Sequence, residues 1–138
     1  EKVMRVNALG ALLVAKWFAP LLTKKRMSKF VNISARVGSI SDNQLGGWYS
    51  YRCSKAALNM ITRNLSVELR RKLPKVICTA IHPGTTDTYL SKPFQRNVRP
   101  DKLSTSQATA VRILDVMDNL TYDQNGSFLS SEGVPLPW

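Results

Sequence analysis

The sequence predicts an α/β fold built on a parallel sheet, and three observations carry that prediction. Stretches with helical and strand character alternate along the chain as helix, strand, helix, strand, helix, strand. Phe30–Ile33 and Val76–Ile81 are short apolar-rich runs bounded by polar residues, which read as buried strands. Ser34 directly follows the first run and His82-Pro83-Gly84 follows the second, so polar and turn residues stand where ligands bind in such sheets, beyond the carboxyl ends of the strands.

Each element has its own signal. Val3 to Leu22 reads as an amphipathic helix whose buried stripe is Val6, Leu9, Leu13, Trp17 and Leu21, with Pro20 disturbing its last turn. Thr23 to Lys29 is a polar connection to the first strand, and Gly38 to Gly47 is a loop rich in Ser, Asp, Asn and Gly. A long helix is predicted from Tyr49 to Leu73, stopped by Pro74. Thr85 to Leu103 has little periodicity and reads as a long mobile loop. Ser104 to Leu120 is a third helix with Ser104 as its N-cap, and Asn125-Gly126 turns the chain into a last strand, Ser127–Ser130, before a Pro-containing tail.

Composition narrows the function classes. The 138 residues are 43% hydrophobic and 21% charged, enough for the core of a single domain and against wholesale disorder. Cys53 and Cys78 are too few for a disulfide framework and lack metal-ligand spacing, so they read as reduced thiols in a cytoplasmic protein. The apolar run Ala8–Val14 is too short to span a bilayer, so no membrane role is expected. A net charge of +11 invites a nucleic-acid reading, with eight bases and no acid between Lys2 and Ser41. Yet the clusters Lys24-Lys25-Arg26 and Arg70-Arg71-Lys72 fall where helices stop, a place the helix dipole favours for cations, and no stacking aromatics interleave them. They read as solvated helix ends.

Tyr51 and Lys55 carry the chemistry. Residues four apart share a helix face, so phenol and ammonium point the same way. A nearby cation should favour the phenolate and lower the tyrosine pKa, giving a group that exchanges a proton with an alcohol or carbonyl oxygen. Alone, the spacing is weak. It is joined by Asn32-Ile33-Ser34-Ala35 at a strand end, by Gly46-Gly47-Trp48-Tyr49-Ser50-Tyr51 leading into the helix, by Ser54-Lys55-Ala56-Ala57-Leu58-Asn59 within it, and by His82-Pro83-Gly84 with Thr88 beyond. Together these segments resemble the short-chain dehydrogenase/reductase family over nearly the whole chain. The stretches Ser34–Ile40 and Gly46–Trp48 look most like its C-factor-like and sniffer-like carbonyl reductase branch.

That resemblance implies the C-terminal part of a doubly wound, Rossmann-like parallel sheet and an NAD- or NADP-dependent oxidoreductase acting on a small-molecule carbonyl or alcohol. Tyr51 would be the general acid/base, Lys55 would assist it and bind the nicotinamide ribose, and Asn7 would help hold a proton-relay water. Pro83, Gly84 and Thr88 match the segment that contacts the cofactor's carboxamide, with Thr86 contributing through its backbone. The family's serine position falls on Ala35. Ser34 or Ser39 could supply the hydroxyl, or no serine does. Tyr89, Leu90 and Phe94 are candidate pocket residues. The single histidine, His82, reads as a packing and backbone-shaping residue. No Gly-rich phosphate loop stands in these residues, so the cofactor-binding part is expected upstream and the isolated segment is expected to be inactive. The first two helices resemble the pair that forms the family's dimer interface, implying a homo-oligomer. The alternative is a non-catalytic member or fragment acting through protein contacts.

Overall fold

A computed structural model describes all 138 residues. In chain order, α1 covers residues 2–21, β1 is Ser28–Ile33, α2 is Tyr49–Lys72 and β2 is Val76–His82. The short strands β3 (Thr85–Thr86) and β4 (Leu103–Ser104) come next, then α3 (Ser106–Asp118) and β5 (Phe128–Ser130). β2 is the centre of the main sheet, with β1 and β5 parallel to it on either side. Its register pairs Ile33 with Ile81 and Ser130 with His82, so the three strands end together. This is the predicted α/β architecture.

Val76 to Ile81 are all buried, as a strand covered on both faces must be. On one face Cys78 packs with Ala15 of α1 and Leu65 of α2. On the other, Ile77 packs with Leu120 and Leu129. Burial pushes the Cys78 thiol up to about 12, and both cysteines are free. The face of α2 turned to the sheet is partly polar, and hydrogen bonding makes that tolerable. Asn32 Nδ2 donates to Thr62 Oγ1 at 2.9 Å, and Thr62 Oγ1 donates to the Leu58 carbonyl at 2.8 Å. Arg70, Arg71 and Lys72 occupy the last turn of α2, where the dipole favours cations.

The first helix departs from its prediction. It is α-helical over Lys2–Met4, π-helical over Arg5–Leu9, α-helical over Gly10–Phe18 and 3-10 over Ala19–Leu21. The expected buried stripe faces outward: Val6, Leu9, Leu13, Trp17 and Leu21 are each more than half exposed. Ala8, Ala15 and Ala19 are the buried residues instead. A π turn holds an extra residue and shifts the helical phase of the residues after it, and methyl side chains permit the close approach of Ala15 to Leu65.

Other boundaries move by smaller amounts. β1 begins at Ser28, two residues earlier than expected, because Ser28 N donates to the Lys75 carbonyl at 3.0 Å. The third helix is capped by Thr105, whose hydroxyl accepts from Ala108 N at 3.1 Å, and not by Ser104, which lies in β4. The 85–103 segment is not structureless. β3 and β4 pair in parallel and close its two ends, and 3-10 turns at Lys92–Asn97 and Pro100–Lys102 fill it. Ser127 precedes the last strand, and the tail folds back so that Trp138 stacks on Phe128 at 5.6 Å.

One approach is too close for a side chain. A Cβ on Gly38 would stand 2.7 Å from Lys55 Cβ and 2.8 Å from the Lys55 carbonyl carbon. Gly38→Ala should therefore destabilise the fold by about 1–3 kcal/mol, the usual cost of overpacking, and urea melts of the variant would measure it. A midpoint equal to wild type would mean that the turn can move aside.

Candidate active site

α2 opens on an unusual backbone. Gly46, Gly47 and Trp48 have φ of 65°, 69° and 48°, so a bulky aromatic residue sits in the left-handed region directly before the helix. Such a conformation persists only where its surroundings hold it. Trp48 meets Phe94 edge-on at 5.5 Å between ring centres, and the Arg52 guanidinium lies 6.0 Å from its ring. Tyr51 stands in the first turn of α2, with Lys55 one turn later, and both are half-buried.

Lys55 Nζ donates to the Ile33 carbonyl at the end of β1 (2.9 Å) and lies 5.8 Å from the centre of the Tyr51 ring. The expected lowering of the tyrosine pKa is not what this geometry gives. Burial pushes the Tyr51 phenol up, and burial pushes the Lys55 ammonium down. The cation is bonded to a carbonyl and stands beside the ring, so desolvation dominates at both groups. In this state Tyr51 is a protonated phenol, a proton donor.

A cavity of about 550 Å³ opens beyond the strand ends and is lined by Tyr51, Ser34, Ala35, Pro83 and Gly84. Thr86, Thr88, Leu90 and Phe94 close it from the segment after β2. Most of the predicted site residues therefore meet around one space. Asn7 and Lys55 are not in its lining. Asn7 lies in the π turn, and its Nδ2 donates to Ser54 Oγ at 3.0 Å, which in turn donates to the Tyr51 carbonyl at 2.8 Å. It is thereby linked to the backbone of the tyrosine. Tyr89, expected in the pocket, is 94% exposed and outside the lining.

The serine alternatives separate on geometry. Ser34 is buried and its hydroxyl donates to Asn59 Oδ1. Ser39 is buried, accepts from Asp42 N at 3.1 Å and does not line the cavity. Ala35 lines the cavity without a hydroxyl. His82, read from sequence as a packing residue, is on the cavity wall, and its Nδ1 is buried without a hydrogen-bond partner. The signal that could have found it was its place at the carboxyl end of the central strand. A second cavity of about 620 Å³ adjoins the first through Tyr51, Thr85 and Phe94, and Trp48, Tyr49 and Val98 line its further side.

The family model for short chain dehydrogenases matches residues 1–99. The C-signal protein of Myxococcus xanthus is 32% identical over 137 residues, covering 99% of this chain and 77% of its own length. A 1-hydroxy-2-glutathionyl-2-methyl-3-butene dehydrogenase of Rhodococcus sp. (strain AD45) is 36% identical, over 100% of this chain and 58% of its own. Among solved structures, the carbonyl reductase Sniffer of D. melanogaster superposes with a TM-score of 0.84 at 31% identity, over 98% of this chain and 55% of that one. The NADPH-bound carbonyl reductase from chicken fatty liver gives 0.82 at 34% identity, over 99% and 57%. The chain thus spans little more than half the length of these structural neighbours. With the family model matched across the tyrosine, the lysine and the Pro83-Gly84 turn, the chain belongs to the short-chain dehydrogenase/reductase family.

Proposed function

We infer that the chain forms the substrate and proton-transfer side of an NAD(P)-dependent reductase of carbonyl compounds, working reversibly on the corresponding alcohols. The observation that carries this reading is the cavity at the strand ends, which Tyr51 and the Pro83-Gly84 turn line together, with Lys55 one helical turn behind Tyr51. Two relatives of known structure are described with NADPH or NADP bound, which supports the same class of cofactor here.

The residues present fit the nicotinamide end of such a cofactor. The cavity volume lies within the range of small-molecule sites. Gly84 adopts φ 78°, a left-handed conformation that favours glycine, and only Ser131 Oγ stands within 4 Å of where a Cβ would be, at 3.8 Å, so the turn leaves open space there. Peptide groups from Pro83 to Thr86 and the Thr88 hydroxyl can hydrogen-bond an amide. Lys55 gives one of its three N–H donors to Ile33, leaving two for a ribose. Bound there, a dihydronicotinamide would supply the hydride to the carbonyl carbon. Tyr51 gives its phenol proton to the carbonyl oxygen as that carbon is reduced, so the products are an alcohol and a tyrosinate that takes its proton back from solvent once the alcohol has left. The apolar walls from Trp48, Tyr49, Phe94 and Val98 would hold the non-reacting part of an uncharged substrate and keep water away from Tyr51.

Ala35 supports a second reading, a family member that acts through protein contacts, because it leaves the expected hydroxyl position empty of donors. Turnover of NADPH by the full-length protein separates the two. In that protein Tyr51→Phe should cut the rate constant for carbonyl reduction by ~10²–10⁴ and leave the NADPH Kd nearly unchanged, since only the proton donor is lost. Lys55→Ala should weaken NADPH binding and slow the reaction together. Full activity in Tyr51→Phe would refute the assignment.

The ionisation state gives an independent check. Because burial raises the phenol, the wild-type minus Tyr51→Phe difference in ultraviolet titration of the cofactor-free protein should show a phenol ionising above the ordinary value of 10.0. Ionisation below that value would mean that the Lys55 charge outweighs desolvation.

A further inference from the structure

We propose that His82 is a catalytic residue of this site, whose imidazole donates a hydrogen bond to the substrate's carbonyl oxygen alongside Tyr51. This rests on the reductase reading above. The sheet register places the residue. Ile33 pairs with Ile81, and Ser34 N donates to the Ile81 carbonyl at 2.8 Å, so the chain leaves β1 at Ser34 and Ala35 next to His82 on β2. All three line the cavity that Tyr51 also lines.

A carbonyl whose carbon accepts hydride develops negative charge on oxygen, and a positioned donor in a desolvated site stabilises it. Around this cavity the other sheet-side groups are committed or absent. Ser34 spends its proton on Asn59, Ala35 has none to give, and Arg36 is paired with Asp42 at 2.7 Å. His82 makes no side-chain hydrogen bond, and Nδ1 is sealed in the protein, which leaves Nε2 as the nitrogen able to reach a ligand. Burial, with the Arg36 cation adding to it and Glu132 opposing it, holds the imidazole below its ordinary pKa. It is therefore neutral near pH 7, and a neutral imidazole with its proton on Nε2 is a donor that keeps its proton and stabilises charge by hydrogen bonding alone.

The test uses the full-length protein with NADPH and benzaldehyde as the probe. His82→Met keeps the volume and removes the donor, and His82→Gln keeps an amide N–H. The expected result is a fall in kcat on the order of 10²-fold for His82→Met, the usual worth of an oxyanion donor, with the NADPH Kd unchanged. His82→Gln should stay within about tenfold of wild type, because a neutral donor survives. Adding Ala35→Ser to His82→Met should restore at least about tenfold of the lost rate by supplying a hydroxyl at the neighbouring position. Equal activity in wild type and His82→Met, an equal loss in the Met and Gln variants, or no recovery with Ala35→Ser would each overturn the proposal. Should His82→Met lose NADPH binding, His82→Gln against wild type decides: within tenfold supports it, and any larger loss overturns it. Wild-type protein that fails to reduce benzaldehyde, or any carbonyl, with NADPH would remove the reductase reading itself, an outcome distinct from these.

Discussion

No side chain fits between Gly38 and Lys55, and the site depends on that approach. The 3-10 turn Arg36–Gly38 presses its backbone onto the second turn of α2, with less than 3 Å from a would-be Cβ to the lysine. The strand end and the helix are thereby held at one separation. At that separation Lys55 Nζ reaches the Ile33 carbonyl, Ser34 reaches Asn59 and Asn32 reaches Thr62. Three hydrogen bonds thus tie successive turns of α2 to β1 and its exit. Tyr51, one turn before the lysine, is carried to the mouth of the sheet as a consequence.

The same contact sets the division of labour in the cavity. α2 brings the Tyr51 phenol, the proposed proton donor; the Pro83–Thr86 turn brings the peptide groups proposed to hold an amide; and the closed 85–103 segment brings the apolar side. The pairing of β3 with β4 holds the two ends of that segment together, and Ser91 Oγ bonds the Thr86 carbonyl while Gln95 bonds Asp87 and Ser91. Leu90 and Phe94 therefore face the cavity from a braced loop. Trp48 is held left-handed at the same corner, so the strain in the helix entry and the aromatic wall of the site are one feature.

Much of this was legible in the residues. The order of elements, the two buried strands and the long helix to its end before Pro74 could be read from local pattern, because each is set by nearby sequence; of the site residues that the family resemblance implied, Tyr51, Ser34, Pro83, Gly84, Thr86 and Thr88 line one cavity, while Asn7 and Lys55 lie outside its lining. The features that could not be read depend on partners distant in the chain. The apolar stripe of α1 has the right period, yet a π turn over Arg5–Leu9 and the tight fit of Ala15 against Leu65 turn the alanines inward. Ser104 has the chemistry of an N-cap but is drawn into β4 by Thr86, so Thr105 caps instead. The expected acidification of Tyr51 rested on charge alone, whereas burial has the larger effect. His82 read as a packing and backbone-shaping residue, since its open hydrogen bonding emerges only when β1, β2 and the loop converge.

On the proposed reading, a protonated Tyr51 phenol, the His82 donor and a partly desolvated Lys55 act around a cavity that would take an uncharged carbonyl compound. Delivery of a hydride to the substrate carbon in this cavity is the central claim. The direct measurement is isotope transfer: the full-length protein, NADPH deuterated at the transferable position of its nicotinamide ring, and benzaldehyde, with the alcohol product read by mass spectrometry. One deuterium should appear on the carbinol carbon of the product and none on its oxygen. Benzyl alcohol without the label, or no alcohol formed from any carbonyl compound supplied, would contradict the claim.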